Sequence, residues 1–135
     1  MATRAAIVME VKGKDHSYEG VYLHFDGYPE GAGQTLVDHY NNDAKVKNLI
    51  SHGGISSLGK FIGEKQDFNE SIPQQCKFYH RDRGEELNIK ELEYDEVSKF
   101  ASDCDAEFTY LYENGVWMVK EKPEFKGLMS LLKES

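Results

Sequence analysis

The chain has 135 residues, with 24 acids against 16 bases for a net charge of −8, and 39% hydrophobic and 12% aromatic content. This length suits one domain with one core over 1–135, and the acidity excludes nonspecific attraction to nucleic acid. No apolar run approaches the roughly 18 to 20 residues of a membrane span, and no basic segment leads into an apolar one at the N-terminus, so a cytoplasmic protein is expected.

Thr3 to Val11 is rich in Ala, Ile and Val but alternates poorly. The polar 12–16 stretch joins it to Tyr18–Phe25, which predicts a hairpin with a longish loop. Asp26-Gly27 supplies a turn, and Pro29 presets φ for the first turn of a helix whose Ala32, Leu36, Val37 and Tyr40 recur on one stripe. Asn42-Asp43 offers a cap for a second helix carrying Val46, Leu49 and Ile50, ended by Gly53-Gly54. Ile55 to Leu58 reads as a helical turn or an extended connection, and Gly63 to Gln75 as an irregular loop.

Cys76 to Asp82 reads as a third strand, on which His80 and Asp82 face one way and Arg81 and Arg83 the other. Asp95 is placed to cap a third helix with Val97, Phe100, Ala101 and Cys104 on one face. Asn114-Gly115 between Phe108–Tyr112 and Val116–Val119 is the strongest hairpin signal in the chain. Phe125, Leu128, Met129 and Leu132 form an apolar stripe at helical spacing, so 122–135 is expected to be a C-terminal helical extension. The order β-β-α-α-β-α-β-β-α predicts an α+β domain, with an antiparallel or mixed sheet of about five strands and helices mainly on one face.

The run His24-Phe25-Asp26-Gly27-Tyr28-Pro29-Glu30-Gly31-Ala32-Gly33 is followed by Leu36 and His39-Tyr40-Asn41. Ile55-Ser56-Ser57-Leu58-Gly59 and Tyr79-His80-Arg81-Asp82-Arg83-Gly84-Glu85 come next. Together these blocks resemble a family of small phage- and plasmid-borne proteins of unassigned function, over about residues 3 to 119. The resemblance implies a mobile-element setting and carries over no catalytic residue.

No nucleophile elbow surrounds Ser56, Ser57, Cys76 or Cys104, and the two cysteines have no disulfide or zinc spacing, so no catalytic residue, resident metal or cofactor is expected. His24, Asp26, Tyr28, His39, His80, Arg81 and Arg83 form the candidate binding set, as one polar site if the second and third strands are neighbours. Arg81 and Arg83, with amides near Gly31 and Gly33 and a stacking Tyr28 or Tyr79, could hold a small anionic ligand. Paired with Glu85 and Glu86, the same arginines would be structural.

The whole charge excess lies between Gly84 and Asn114, where ten acids face two bases. Glu91, Glu93 and Glu96 are therefore the candidate acidic partner surface, with a solvated face as the alternative. The expectation is a non-enzymatic protein that binds and inhibits or redirects a host component, such as a defence protein. Two alternatives stand beside it: a binder of a small nucleotide or signalling molecule, and a small metal-dependent hydrolase using His24, Asp26, His39, His80 and Asp82. Truncation after Lys122 is expected to lower the melting temperature or change the sedimentation behaviour, because it removes the apolar stripe; if neither changes, the stripe has no packing role.

Overall fold

The computed structural model describes residues 3–11, 17–70 and 72–121. The expected extension at 122–135, with Phe125, Leu128, Met129 and Leu132, lies outside the described residues, as does the loop at 12–16.

Strand β1 (Ala5–Glu10) is the axis of a seven-stranded mixed sheet. Its first five residues, Ala-Ala-Ile-Val-Met, are all buried, because helices cover both faces of the strand; poor alternation is the pattern such a strand must have. β2 (Ser17–Leu23) pairs antiparallel along one edge of β1, with Ile7 opposite Val21. β6 (Phe108–Glu113) pairs parallel along the other edge, with Ile7 opposite Tyr110. β7 (Val116–Glu121) closes that side as a hairpin partner of β6. Asn114 and Gly115 both take positive φ, 53° and 77°, which is the turn their pairing predicted.

The far edge of β2 is shared. β3 (Ile55–Ser57) runs parallel to it at Leu23, and β4 (Lys77–Phe78) pairs antiparallel beyond β3. At the opposite end β5 (Lys90–Glu93) runs antiparallel to Ser17–Gly20. The α+β class is as expected, and the strand count exceeds about five because β3, β4 and β5 have only two to four residues each.

Helix α1 (Gln34–His39), entered through a wide π-type turn over Pro29–Gly33, packs with α2 (Asp43–Ile50) on one sheet face. There Leu36, Tyr40, Val46, Leu49 and Ile50 meet Ile7, Val21, Leu23, Tyr110 and Tyr112. Val37 departs from the expected stripe: it is 54% exposed, beside Met118 and Val119 of the edge strand. The Asn42 side chain caps α2 as expected, accepting from Lys45 N at 2.9 Å.

On the opposite face α4 (Val97–Asp103) lays Phe100 and Ala101 over Ala6, Val8 and Tyr18. Its apolar face is the predicted one, but Asp95 is not the cap. A capping box between Glu93 and Glu96 opens a short 3-10 turn over Tyr94–Glu96 that runs into the helix.

The third strand is the main correction. Only Lys77–Phe78 is extended, and Tyr79–Arg83 forms a single helical turn, α3, closed by Gly84 at φ 79°. Asp82 causes this by folding back to accept from the backbone N–H of Phe78 at 2.8 Å, which an extended strand would forbid. Arg81 and Arg83 therefore lie about 200° apart around a helix instead of sharing a face.

The 26–33 junction is sewn to the sheet. Gly27 N donates to Thr3 O at 2.8 Å, and the Tyr110 hydroxyl donates to Gly27 O at 2.6 Å. A methyl group at Gly27 would sit 2.7 Å from the Thr3 carbonyl and 2.8 Å from Ala5 Cβ. Gly27→Ala is therefore expected to cost about 1–3 kcal/mol through forced backbone movement, read as a lower urea midpoint with unchanged slope. An unchanged midpoint would show that the junction yields freely.

Candidate functional site

Helix α4 is too short to cover its whole sheet face. It reaches Gly20, where a Cβ would lie 2.8 Å from the Phe100 ring, and among the described residues no other helix covers the last third of β2 on that face. The side chains on that strip are amphipathic. Tyr22 and His24 point the same way, two residues apart, with the Tyr22 hydroxyl 2.5 Å from His24 Nδ1. Ser56 of β3 lies next across the sheet, near Tyr79 at the start of α3.

A groove of about 670 Å³ runs over this floor, lined by Tyr22, Gly54, Tyr79, Glu85, Glu86, Leu87 and Asn88. A second groove of about 450 Å³ shares Tyr22 and Asn88 and continues to α4 past Lys90, Glu91, Glu96, Lys99 and Asp103. Burial pushes the Tyr22 and Tyr79 hydroxyls up, so both stay protonated at neutral pH. The floor is uncharged aromatic surface and the walls are mainly carboxylate.

The candidate residues fall in several places. β3 lies between β2 and β4, so the His24 and His80 segments stand two strand spacings apart, about 10 Å across the sheet. His80 is exposed, and its Nδ1 lies 2.7 Å from Glu85 O. Asp26 is exposed at φ 57°, with its carbonyl accepting from Ala32 N, and Tyr28 stands over Gly31. His39 ends α1, on the sheet face opposite Tyr22 and His24. His24 and Tyr79 thus lie on the open strip, while Asp26, Tyr28 and His39 belong to the junction and helix on the other side.

Arg81 and Asp82 form a polar knot. Arg81 donates to the carbonyls of Ile62, Gly63 and Cys76 at 2.9–3.1 Å and pairs with Asp82 at 2.9 Å. Asp82 also accepts from Gln66 N at 2.9 Å, so the pair fastens the 59–76 loop to the end of the sheet. Burial alone would raise the Asp82 carboxyl, but hydrogen bonds from Arg81, Phe78 N and Gln66 N outweigh it and hold the group below its ordinary 3.8. Arg83 pairs with Glu85 at 3.1 Å and lies over the Phe68 ring. No double-arginine anion grip exists here: Arg81 is consumed internally and Arg83 is already paired.

Cys76 is buried, contacted by the Tyr40 hydroxyl at 3.1 Å and Gly59 N at 3.2 Å, and burial pushes its thiol up. Cys104 is pushed up to about 11, again first by burial. Neither is a thiolate at neutral pH. Among the described residues no three His, Cys, Asp or Glu side chains are grouped to hold a metal ion, and no helix is long and apolar enough to cross a membrane.

No family model, curated protein or solved structure matches the chain. The assignment therefore rests on residues and geometry. Sequence reasoning missed Tyr22, Glu19 and Asn88, whose roles depend on strand pairings that no local pattern announces.

Arg81→Ala is expected to cost about 3–5 kcal/mol at pH 7, because it leaves a carboxylate in a site with no cation. The acid limb should change too. A carboxyl with a depressed folded pKa adds stability that is full above 3.8 and is lost as pH falls through the folded value. The variant should therefore lose less stability than the parent between about pH 4 and pH 2. A parallel pair of urea-midpoint profiles would remove the knot from the account.

Proposed function

We propose that this is a non-enzymatic protein of a mobile genetic element, acting in the host cytoplasm. Its acidic face docks on a basic surface of a host protein, which it inhibits or redirects; a defence protein is the expected class of target. The mobile-element setting comes from the sequence blocks around His24–Gly33 and Tyr79–Glu85, and direct nucleic-acid binding is not expected from the charge.

The observation that carries the reading is a like-charge pairing. Glu19 of β2 lies directly opposite Glu91 of β5, and Ser17 lies opposite Glu93. Glu19, Glu91, Glu93 and Glu96 surround one cleft of about 210 Å³, and no ion pair among the described residues involves any of them. Like charges placed opposite one another across strands destabilise a sheet, and a basic partner turns that repulsion into attraction. Among the described residues β5 pairs only with β2, and its charges guard its outer edge against indiscriminate strand addition.

Charge reversal separates stability from function here. Glu91→Lys alone should raise stability by about 0.2–1 kcal/mol, by replacing a repulsive cross-strand pair with an attractive one. Glu91, Glu93 and Glu96 all changed to Lys should abolish salt-sensitive capture of the target from host lysate, at a cost of about 1 kcal/mol for the lost Glu93–Glu96 cap, with a urea midpoint to show that the domain is folded. If the triple variant captures the same protein with the same salt dependence, the acidic-face reading is wrong.

A further inference from the structure

We infer that the groove between α1 and β7 is a docking site for the chain's own C-terminal segment, whose stripe of Phe125, Leu128, Met129 and Leu132 packs into it as one face of a helix. The site lies along the β7 side of the sheet, away from the acidic cleft between β2 and β5, and does not depend on the partner reading.

The groove asks for an apolar occupant. It has a volume of about 250 Å³, and none of its lining residues is charged. Val37 of α1 and Val119 of β7 are each 54% exposed on its walls, and Met118 is 44% exposed. Its polar tips are already engaged: the Tyr110 hydroxyl donates to Gly27 O, the Trp117 ring N–H to Tyr40 O and the Gln34 amide to Asp38. What is left to recognise is hydrocarbon, of the kind that folded domains cover.

The course of the chain names the occupant. β7 ends at Glu121, two residues past Val119, and Lys122-Pro123-Glu124 follows. Pro123 has no N–H for a strand ladder, and a link of three residues reaches up to about 10 Å, enough for the chain to turn back on itself. Phe125, Leu128, Met129 and Leu132 then fall at i, i+3, i+4 and i+7, the spacing of a helix laid in a groove.

The dimensions agree as well. α1 runs back alongside β7, from Gly33 near the Tyr110 ring, opposite Val119, to Tyr40 beside Trp117. Its six residues are about 9 Å long, against about 11 Å for a helical 125–132. A helix there would cover the last described strand of the sheet, one of the ways in which proteins protect an edge. Tethering favours this segment over a second copy, because its closure is intramolecular and local.

Trp117 lines the groove and is the single tryptophan of the chain, so its emission reports the occupant. Truncation after Lys122 should shift that emission to the red and raise its quenching by acrylamide. In the full chain Leu132→Asp should do the same, and Ser130→Asp, off the stripe, should not. Val37→Asp should lower the urea midpoint of the full chain more than that of the truncated one, and a cooperative transition in each shows that it is folded. Both forms should sediment as monomers. Unchanged Trp117 emission on truncation, or an equal effect of Val37→Asp in both forms, would overturn the docking. A full-length dimer that truncation converts to a monomer would overturn it too, since the occupant would then be a second copy.

Discussion

Everything in this fold depends on β1 being enclosed on all four sides. It is hydrogen bonded along both edges, by β2 and β6, and covered on both faces, by α1 and α2 on one side and α4 on the other. A strand in that position leaves no room for a polar side chain, and its Ala-Ala pair lets elements approach closely from both sides. The parallel β1–β6 pairing joins the first strand to the C-terminal hairpin across about a hundred residues of intervening chain, a contact whose loop-closure entropy has to be offset by apolar burial. Losing β1 would separate the two cores and detach both hairpins at once.

The second organising contact is polar. Arg81 and Asp82 sit where a long loop without regular structure has to end, and together they engage the backbone at Ile62, Gly63, Gln66, Cys76 and Phe78. One backbone bridge, between Phe61 and Gln75, ties the ends of this loop together, and side-chain hydrogen bonds hold it to the sheet. The consequence for function is direct. A segment dense in charged and ring side chains, Tyr-His-Arg-Asp-Arg-Gly-Glu, has most of its chemistry committed to structure, and only Tyr79 presents an aromatic surface to the open groove.

The acidic segment follows the reverse pattern. Its carboxylates stay on the surface, and β5 brings them against Glu19, an acid from a distant part of the chain. A protein selected for stability alone would gain from a cation at one of these positions. The acidic cleft and the groove along α4 share Glu91 and Glu96 at their margins.

What the sequence by itself determined was whatever is written at short range. The α+β class, the Asn114-Gly115 turn, the Asn42 cap and the buried positions of α2 and α4 follow from local dihedral preference and helical period, which neighbouring residues decide among themselves. Tertiary structure decided the rest. Tyr79–Arg83 leaves the strand because Asp82 satisfies backbone donors on two segments, and Val37 leaves the core because it lies beside β7, the last described strand on that side of the sheet. β5 exists only because β2 offers an edge to a run of glutamates with little strand propensity. The joining of Tyr22 to Tyr79 and of Glu19 to Glu91 is likewise a matter of strand order, and strand order is set by how the whole sheet buries its two faces, a quantity no window of the sequence contains.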